Sequence, residues 1–261
     1  MPITNTDNTT VMDNLTTQTP MRTLVIQSCS NKQRETWIKD CINSVIRWAK
    51  IKNYTYRLID DALFTVVPEW YMQKVGARLP IAADYARLVF IQKALEEGFE
   101  QVIWLDADVL IFDPALAFDF SGTCAFGHEV WVQEREGKIE ARTNVHNAVC
   151  VFRQGCVILP FLLYTIISMM KRVDPAHLAP QFVGPKLLNA LHPLCDFALL
   201  PQVGALSPLV VADICNGGVV ALNLMLFKSK VQPMAVNLCA SLIGASEAKK
   251  VMAAIKEEGR L

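Results

Sequence analysis

An apolar run at residues 102–105 leads directly into Asp106-Ala107-Asp108, and further apolar residues follow. A short run of this kind predicts a buried strand, and in open α/β sheets ligands bind at the carboxyl end of such strands. If the extended geometry continues through residue 108, both carboxylates point to one side. Two carboxylates so close repel each other unless a cation lies between them or one takes a proton. A hard divalent ion such as Mg²⁺ or Mn²⁺, with phosphate oxygens, suits the pair, although paired aspartates after a strand can also simply cap a turn.

The opening of the chain predicts an α/β fold. Residues 23–27 are a strand candidate, residues 32–50 carry apolar side chains at helical spacing, and residues 54–59 alternate as a second strand. This strand–helix–strand order favours parallel strands and a nucleotide-binding type of fold. No GxGxxG follows the first strand, so the dinucleotide fingerprint is absent. The polar residues 1–21 predict a disordered leader.

The rest of the chain divides into further helices and strands. A helix is predicted over residues 80–97, with Pro80 near its start and Gly98 just past its end. The other predicted elements are strands at 123–133 and 139–152 joined by a tight turn at Glu136-Gly137-Lys138, a helix at 185–191, strands at 198–200 and 219–226, and a helix at 246–257.

Composition limits the partners and the setting. Basic residues number 25 and acidic residues 25, so the formal net charge is zero. Phosphate binding needs a basic face, and nucleic acid is therefore not expected as the main partner. The eight cysteines include no CxxC pair, and no apolar signal segment follows Met1. Both features predict a cytoplasmic protein with reduced thiols.

Residues 156–170 are strongly apolar, but the run is shorter than the ~20 residues of a spanning helix and contains Pro160. We expect a buried or interface helix here, with a peripheral membrane contact as the alternative. Lys171 and Arg172 follow the run. They suit an anionic membrane surface, and they equally suit the C-terminal end of a helix.

Asp84 and Arg87 lie three residues apart on the predicted helix and therefore share one face. The simplest interpretation is a surface ion pair, which contributes ~0–1 kcal/mol. However, their neighbours are unusually apolar, and a buried pair needs further hydrogen-bonding partners. Sugar hydroxyls and a diphosphate would supply such partners, since Arg offers a planar fork to phosphate.

The block from Ala83-Asp84-Tyr85-Ala86-Arg87 through Gly98 to Asp106-Ala107-Asp108 resembles the core of GT-A glycosyltransferases of the DXD sugar-binding type. This class includes capsular-polysaccharide and lipopolysaccharide sugar transferases, initiating mannosyltransferases and glucosylating toxins. The resemblance implies a single GT-A domain over residues 22–261, with a Rossmann-like nucleotide-binding mixed sheet flanked by helices. It also implies a nucleotide-sugar donor, most simply a UDP-sugar, a saccharide or lipid-linked acceptor, and Mn²⁺ or Mg²⁺ as cofactor.

The resemblance also implies roles for individual residues. Asp84 and Arg87 match the donor-binding residues of the class, and Asp106 and Asp108 match its ribose and metal contacts. Farther along the chain, Asn147 resembles an Asn on a strand that lines the sugar pocket, although an ordinary strand explains it equally well. The segment 182–188 resembles a Gly-Pro helix opening of the class. Asn237 stands where many relatives place a metal-binding His and would be a weaker third ligand.

No catalytic base is identified by the sequence. An inverting enzyme needs one, and Asp196 or Asp213 could serve, whereas a retaining enzyme shows no constant base. His128 and His146 lie near predicted strand ends and fit core or surface positions better than catalytic ones.

Two alternatives to a glycosyltransferase stay open. The first is a phosphatase of the haloacid-dehalogenase type with Asp106 as nucleophile, although in that class the acidic strand opens the domain. The second is a catalytically degenerate relative that binds a nucleotide sugar or a partner protein without turnover.

Overall fold

The structure is a computed structural model that describes residues 21–31 and 35–261. The predicted leader at residues 1–21 lies outside the described residues except for its last position. The leader and the domain boundary that follows it therefore stay predictions.

Nine strands and eight α-helices form within the described residues. The strands are β1 (Thr23–Ser28), β2 (Thr55–Ile59), β3 (Gln101–Leu105), β4 (Val109–Ile111), β5 (Cys124–Arg135), β6 (Lys138–Arg153), β7 (Ala198–Leu200), β8 (Val203–Ala205) and β9 (Ala235–Asn237). The helices are α1 (Thr36–Ile51), α2 (Glu69–Val75), α3 (Leu79–Glu96), α4 (Ile158–Arg172), α5 (Pro185–Leu191), α6 (Pro208–Asn216), α7 (Val220–Ser229) and α8 (Ala245–Glu258).

The strands form two mixed sheets. The larger sheet has the order β2-β1-β3-β6-β5-β7, and the smaller has the order β4-β9-β8. Strand β1 runs parallel to β2 and β3, whereas β6 runs antiparallel to β3 and β5. Helices pack on both faces of the larger sheet. The predicted fold class, an α/β fold with a mixed sheet flanked by helices, is confirmed.

Strand β3 lies in the middle of the larger sheet, and all five of its residues are buried. Val102 and Trp104 pack on the side of the sheet that α3 and α4 cover, and Ile103 and Leu105 pack on the side that α1 covers. A strand covered on both faces carries a continuous apolar run instead of an alternating one. The sequence shows this run directly before Asp106.

Helix α3 positions Asp84 and Arg87 one turn apart beside β3. Pro80 lies in its first turn, and the chain reverses after the helix at Gly98, whose φ of 89° few other residues adopt. The helix buries apolar side chains around most of its circumference, and Asp84 and Arg87 are buried among them. The predicted helix is confirmed, and so is the burial that its apolar neighbours suggest.

The predicted hairpin between residues 123–133 and 139–152 is confirmed as β5 and β6. Glu136 and Gly137 form its turn with φ values of 53° and 74°. Two consecutive positive φ values are the geometry of the two-residue turns that best match the twist of a hairpin.

The strand predicted at residues 219–226 is wrong, because these residues belong to helix α7. Ala221 and Met225, four residues apart, form part of the buried side of the helix. The carboxylate of Asp213 caps the helix start, with its Oδ2 accepting the N–H of Ala221 at 2.6 Å and that of Leu222 at 3.1 Å. The helix thus depends on a cap from an earlier helix, which the local apolar pattern does not reveal.

The apolar run at residues 156–170 largely forms helix α4, as expected. One side of this helix is buried through Leu159, Leu162, Ile166 and Met170. In the described part of the chain, no helix is both long enough and apolar enough to cross a membrane.

Candidate donor and metal site

Asp106 and Asp108 lie in a turn at the carboxyl end of β3. The N–H of Val109 donates to the carbonyl of Asp106 at 3.1 Å, which closes the turn before β4 begins. The extended geometry considered for this stretch therefore does not continue past Leu105. The two carboxylates are nevertheless close enough that the charge of Asp106 contributes to raising the pKa of Asp108. It is the turn, not strand alternation, that brings the pair together.

The smaller sheet brings Asn237 next to Asp108. Strand β9 pairs with β4 so that Asn237 lies opposite Val109, and the N–H of Leu238 donates to the Asp108 carbonyl at 3.0 Å. The following loop also contacts the site, since the N–H of Ala240 donates to Asp108 Oδ2 at 2.7 Å. The structure therefore brings together Asp108 and Asn237, two of the metal ligands predicted from the sequence.

Arg87 joins helix α3 to the end of β3. Its Nη2 lies 3.2 Å from Asp84 Oδ1, and its Nη1 lies 3.1 Å from Asp106 Oδ1. Nη1 also donates to the carbonyl of Asn147, while Nε has no hydrogen-bond partner. One guanidinium therefore bridges two carboxylates from different elements.

Asn147 and Gly184 complete the side of the site around Asp84. The amide of Asn147 on β6 donates to Asp84 Oδ1 at 2.8 Å. Gly184, directly before α5, lies so close that a Cβ atom there would be 2.2 Å from Asp84 Oδ2. Only a residue without a side chain fits this approach. The four predicted donor-binding residues, namely Asp84, Arg87, Asp106 and Asn147, form one connected cluster.

The enclosed space at this cluster is small. A cavity of about 10 Å³ lies between Asp84, Arg87, Asn147 and Gly184. A single water needs about 10–15 Å³ by the same kind of measure. The region around Asp84 is thus closed in this structure.

The cluster carries more negative than positive charge. Asp84, Asp106 and Asp108 contribute three carboxylates, and among the residues that the structure describes only Arg87 forms ion pairs with them. Burial and, secondarily, the charge of Asp106 raise the pKa of Asp108 to about 6. Burial also raises the pKa of Asp84, against the stabilising effect of Arg87 and Asn147. Burial works against the charge on Arg87, but its two carboxylate neighbours raise its pKa overall.

Two further residues position Asp106 and were not anticipated from the sequence. The indole Nε1 of Trp104 donates to Asp106 Oδ1 at 2.8 Å, and its ring lies 5.5 Å from the Arg87 guanidinium carbon. The amide of Gln27 on β1 donates to the Asp106 carbonyl at 3.0 Å and is itself held by Tyr56. The signals were present: Trp104 is two residues before Asp106 on the strand, and Gln27 is a polar residue in an apolar strand.

The other polar residues considered from the sequence have separate surroundings. The Asp213 carboxylate caps α7, and Asp196 is exposed after α5. His146 is buried, with Nε2 3.3 Å from the Val203 carbonyl and Nδ1 accepting from the N–H of Ala148. Burial lowers its pKa to about 4, so the ring is neutral near pH 7. His146 thus takes the core position, one of the two that the sequence favours over a catalytic role, and His128 is half-buried on β5.

The residues at this site could hold a divalent metal ion through two carboxylates, those of Asp106 and Asp108. No cluster of three or more His, Cys, Asp or Glu side chains suited to a metal occurs within residues 21–31 and 35–261. Asn237 Oδ1 already accepts the N–H of Cys239 at 2.6 Å, so it could offer a metal only its second lone pair. Mg²⁺ commonly binds through one or two carboxylates, with phosphates and waters completing its shell. Asp106 and Asp108 match that pattern.

Comparisons with known proteins give structural likenesses only. No protein-family model matches the sequence, and no curated protein matches it. Among solved structures, a glycosyltransferase involved in glycosylation of the major capsid of PBCV-1 has 13% identity, covers 89% of this chain and 98% of its own, and gives a TM-score of 0.47. Mouse xyloside xylosyltransferase 1 has 13% identity, covers 86% of this chain and 99% of its own, and also gives 0.47.

The bifunctional glycosyltransferase WbbM has 12% identity to the chain and a TM-score of 0.48, covering 92% of this chain but 51% of its own. All three of these structures are glycosyltransferases. Likenesses at this identity and TM-score define no donor, acceptor or activity for this chain.

Proposed function

We propose that the protein transfers a sugar from a nucleotide-sugar donor, a UDP-sugar in the simplest case, to a saccharide or lipid-linked acceptor with the help of Mn²⁺ or Mg²⁺. The observation that carries the proposal is the convergence of Asp84, Asp106 and Asp108 around one buried cation, Arg87, at the carboxyl end of β3. The excess of negative charge there suits a divalent cation, and the ion's remaining positive charge suits a diphosphate.

In this proposal Asp106 and Asp108 hold the metal, with Asn237 as an additional oxygen ligand, and Asp106 also contacts the ribose. When bound, the divalent ion would neutralise negative charge on the departing nucleoside diphosphate. Arg87 supplies a second positive charge, already oriented by Trp104 and Asp106. Charges that are held in place before the reaction stabilise a leaving group without further reorganisation.

Asp84 and Asn147 act on the sugar in the proposed site. Their carboxylate and amide groups are hydrogen-bonded to each other and are the types of group that bind sugar hydroxyls. Because the space beside them holds at most about one water, donor binding requires the segment at Gly184 to move outward. Closure of the same segment afterwards would exclude water from the sugar.

We also propose a reducing, cytoplasmic setting. All eight cysteines lie in the described part of the chain. Seven of them are free thiols, four buried and three half-buried: Cys41, Cys124, Cys150, Cys156, Cys195, Cys215 and Cys239. Free thiols in this number are typical of proteins from reducing compartments.

The test of the proposal is release of nucleoside diphosphate from a panel of nucleotide sugars in the presence of Mn²⁺. Wild-type protein should release nucleoside diphosphate from one nucleotide sugar of the panel. Asp108→Asn should reduce the rate of this release by at least about 100-fold, because the departing diphosphate loses the metal ion that balances its charge. Asp119→Asn, which removes an exposed carboxylate elsewhere, is the matched control and should retain the wild-type rate.

The two alternatives predict other results. Release of inorganic phosphate from aryl phosphates, abolished by Asp106→Asn, would favour the phosphatase. Metal-dependent nucleotide binding without release would favour the degenerate relative. Either result would overturn the proposed transfer reaction.

A further inference from the structure

The outer side of helix α4 combines exposed aromatic and basic side chains. Val157, just before the helix, is 77% exposed, and Tyr164 and Phe161 are 74% and 45% exposed. Lys171 and Arg172 are exposed at the C-terminal end of the same side. This side lies opposite the buried one, so the helix has one face in the core and one apolar and basic face toward solvent.

Helix α2 extends this surface at its basic end. Lys74 Nζ donates to the carbonyl of Lys171 at 3.1 Å, which places the C-terminal end of α2 against that of α4. Trp70 is four residues before Lys74, on the same side of α2, and is 37% exposed. Trp70, Lys74, Phe161, Tyr164, Lys171 and Arg172 are called the α2–α4 face below.

A groove of about 550 Å³ opens beside the α2–α4 face. Its wall on α4 includes Tyr164, Ser168 and Arg172, and its opposite wall includes Phe182. The groove therefore offers a cation and a hydroxyl next to apolar surface. Phe182 is two residues before Gly184, which contacts Asp84 in the candidate site.

We propose that the α2–α4 face docks on an anionic phospholipid bilayer, with a lipid headgroup phosphate at Arg172 in the groove. Aromatic residues prefer the boundary between headgroups and acyl chains, and Lys and Arg beside them attract anionic lipids. The whole chain has a formal net charge of zero, whereas this face gathers three cations. Two acidic residues are near these cations in the sequence. Glu69 directly precedes Trp70, and Asp174, whose Oδ2 lies 3.5 Å from His177 Nδ1, follows Arg172 by two residues.

Charge complementarity is what selects this occupant. A second copy of the chain would place like charges against each other at a two-fold interface, and like charges in contact disfavour association. An anionic bilayer meets both the cations and the aromatic side chains. The docking goes beyond the proposed transfer reaction, and it would hold the groove and Gly184 close to a lipid-linked acceptor.

The test is flotation of the full chain with vesicles, without donor or metal, so that its outcome does not depend on catalysis. The wild type should bind vesicles of phosphatidylcholine with roughly 30 mol% phosphatidylglycerol, which carry about the charge of an anionic membrane surface. It should bind pure phosphatidylcholine vesicles at least about tenfold more weakly and leave the anionic vesicles at high salt.

Variants locate the contact. Lys171→Glu/Arg172→Glu should reduce partitioning onto the anionic vesicles by at least about tenfold. Lys249→Glu/Lys250→Glu makes the same change of charge on the exposed side of α8 and should leave partitioning onto the anionic vesicles unchanged. Tyr164→Ser should weaken binding, whereas Phe227→Ser, at a residue 76% exposed on α7, should not. Equal thermal unfolding temperatures would show that all four variants are folded.

Three results would overturn the proposal. One is a wild type that ignores anionic vesicles, and another is equal binding by the α4 and α8 charge variants. The third is concentration-dependent dimerisation that Tyr164→Ser abolishes, which would make the face an interface between copies. Loss of vesicle binding with diphosphate release intact, or the converse, separates failure of docking from failure of the proposed reaction.

Discussion

Arg87 Nη2 lies 3.2 Å from Asp84 Oδ1, one turn earlier on the same helix, and both side chains are 8% exposed. The same guanidinium reaches Asp106 at the end of β3, 3.1 Å away. A guanidinium that is only 8% exposed has lost most of its hydration, so its two carboxylate partners must compensate. The Nε of Arg87 is buried without a hydrogen-bond partner, so a bound diphosphate would have to displace neighbouring groups before it could accept from this N–H.

Replacing Arg87 by Ala should affect both stability and donor binding. The change leaves Asp84 and Asp106 without their cation, and the loss of one partner from a buried pair costs about 3–5 kcal/mol of unfolding free energy. Nucleotide affinity of the folded fraction should also fall. Chemical denaturation and nucleotide titration measure the two effects.

The control for Arg87 is an exposed ion pair. Arg57 Nη2 lies 2.6 Å from Glu97 Oε2, with side chains 37% and 47% exposed. Arg57→Ala should change stability by less than about 1 kcal/mol and leave nucleotide affinity unchanged. If Arg87→Ala lowers stability but leaves the affinity of folded protein intact, Arg87 is a structural residue only.

Gly184→Ala should disturb the site from its far side. The new Cβ would lie 2.2 Å from Asp84 Oδ2 and 3.0 Å from Asn147 Nδ2, so at least one side chain must move. We expect a loss of about 1–3 kcal/mol in unfolding free energy and a higher KM for the donor. In Gly204→Ala, the matched change in β8, the Cβ makes ordinary contacts at 3.6 Å and should be tolerated. An unchanged KM in Gly184→Ala would argue against a donor pocket at Asp84.

Asp108→Asn should separate function from stability. The carboxylate of Asp108 is disfavoured by burial and by Asp106, which raise its pKa to about 6. An amide of the same shape still accepts from Ala240 but carries no charge. Without metal at pH 7, the variant should therefore be at least as stable as the wild type in thermal unfolding, while metal-dependent nucleotide binding is lost. A clear drop in stability would mean that the carboxylate serves the fold.

His146 should make stability depend on pH. Its pKa of about 4 lies below the ordinary 6.5, so the unfolded chain binds a proton more readily than the folded protein. The contribution of the neutral His146 ring to the free energy of unfolding is therefore complete above pH 6.5. It is lost as the pH falls toward 4, and the total loss is about 3 kcal/mol. Denaturation curves of wild type and His146→Phe between pH 7 and 4 measure this. As the pH falls, the free energy of unfolding of the wild type should decrease relative to that of His146→Phe. A difference that stays constant with pH would contradict the buried, neutral ring.

Sequence patterns predicted the elements whose signals are local. Strand β3 is an unbroken apolar run, α3 is bounded by Pro80 and Gly98, and the β5–β6 turn contains Gly137. The apolar pattern of residues 219–226 predicts a strand instead of helix α7, because the cap that starts the helix comes from Asp213 on the preceding helix. Local propensity does not include such tertiary contributions.

The candidate site was predictable only where the placement of its residues follows from local spacing. Asp84 and Arg87 share a helix face, and Asp106 follows a strand, so their residue types and approximate placement follow from spacing. The approach of Gly184 to Asp84 and the pairing that brings Asn237 to Asp108 depend on the path of the chain between distant elements. The turn at residues 106–108 likewise replaces the extended geometry, because β4 leaves β3 for a different sheet.

Calorimetric titration of UDP, GDP and CDP into the wild type, with and without Mn²⁺, tests the central claim most directly. The account predicts that one nucleotide, UDP in the simplest case, binds only when Mn²⁺ is present, and that Asp108→Asn abolishes its binding. Binding of none of the three nucleotides, or equally tight binding without metal, would contradict a metal-dependent donor site at Asp106 and Asp108.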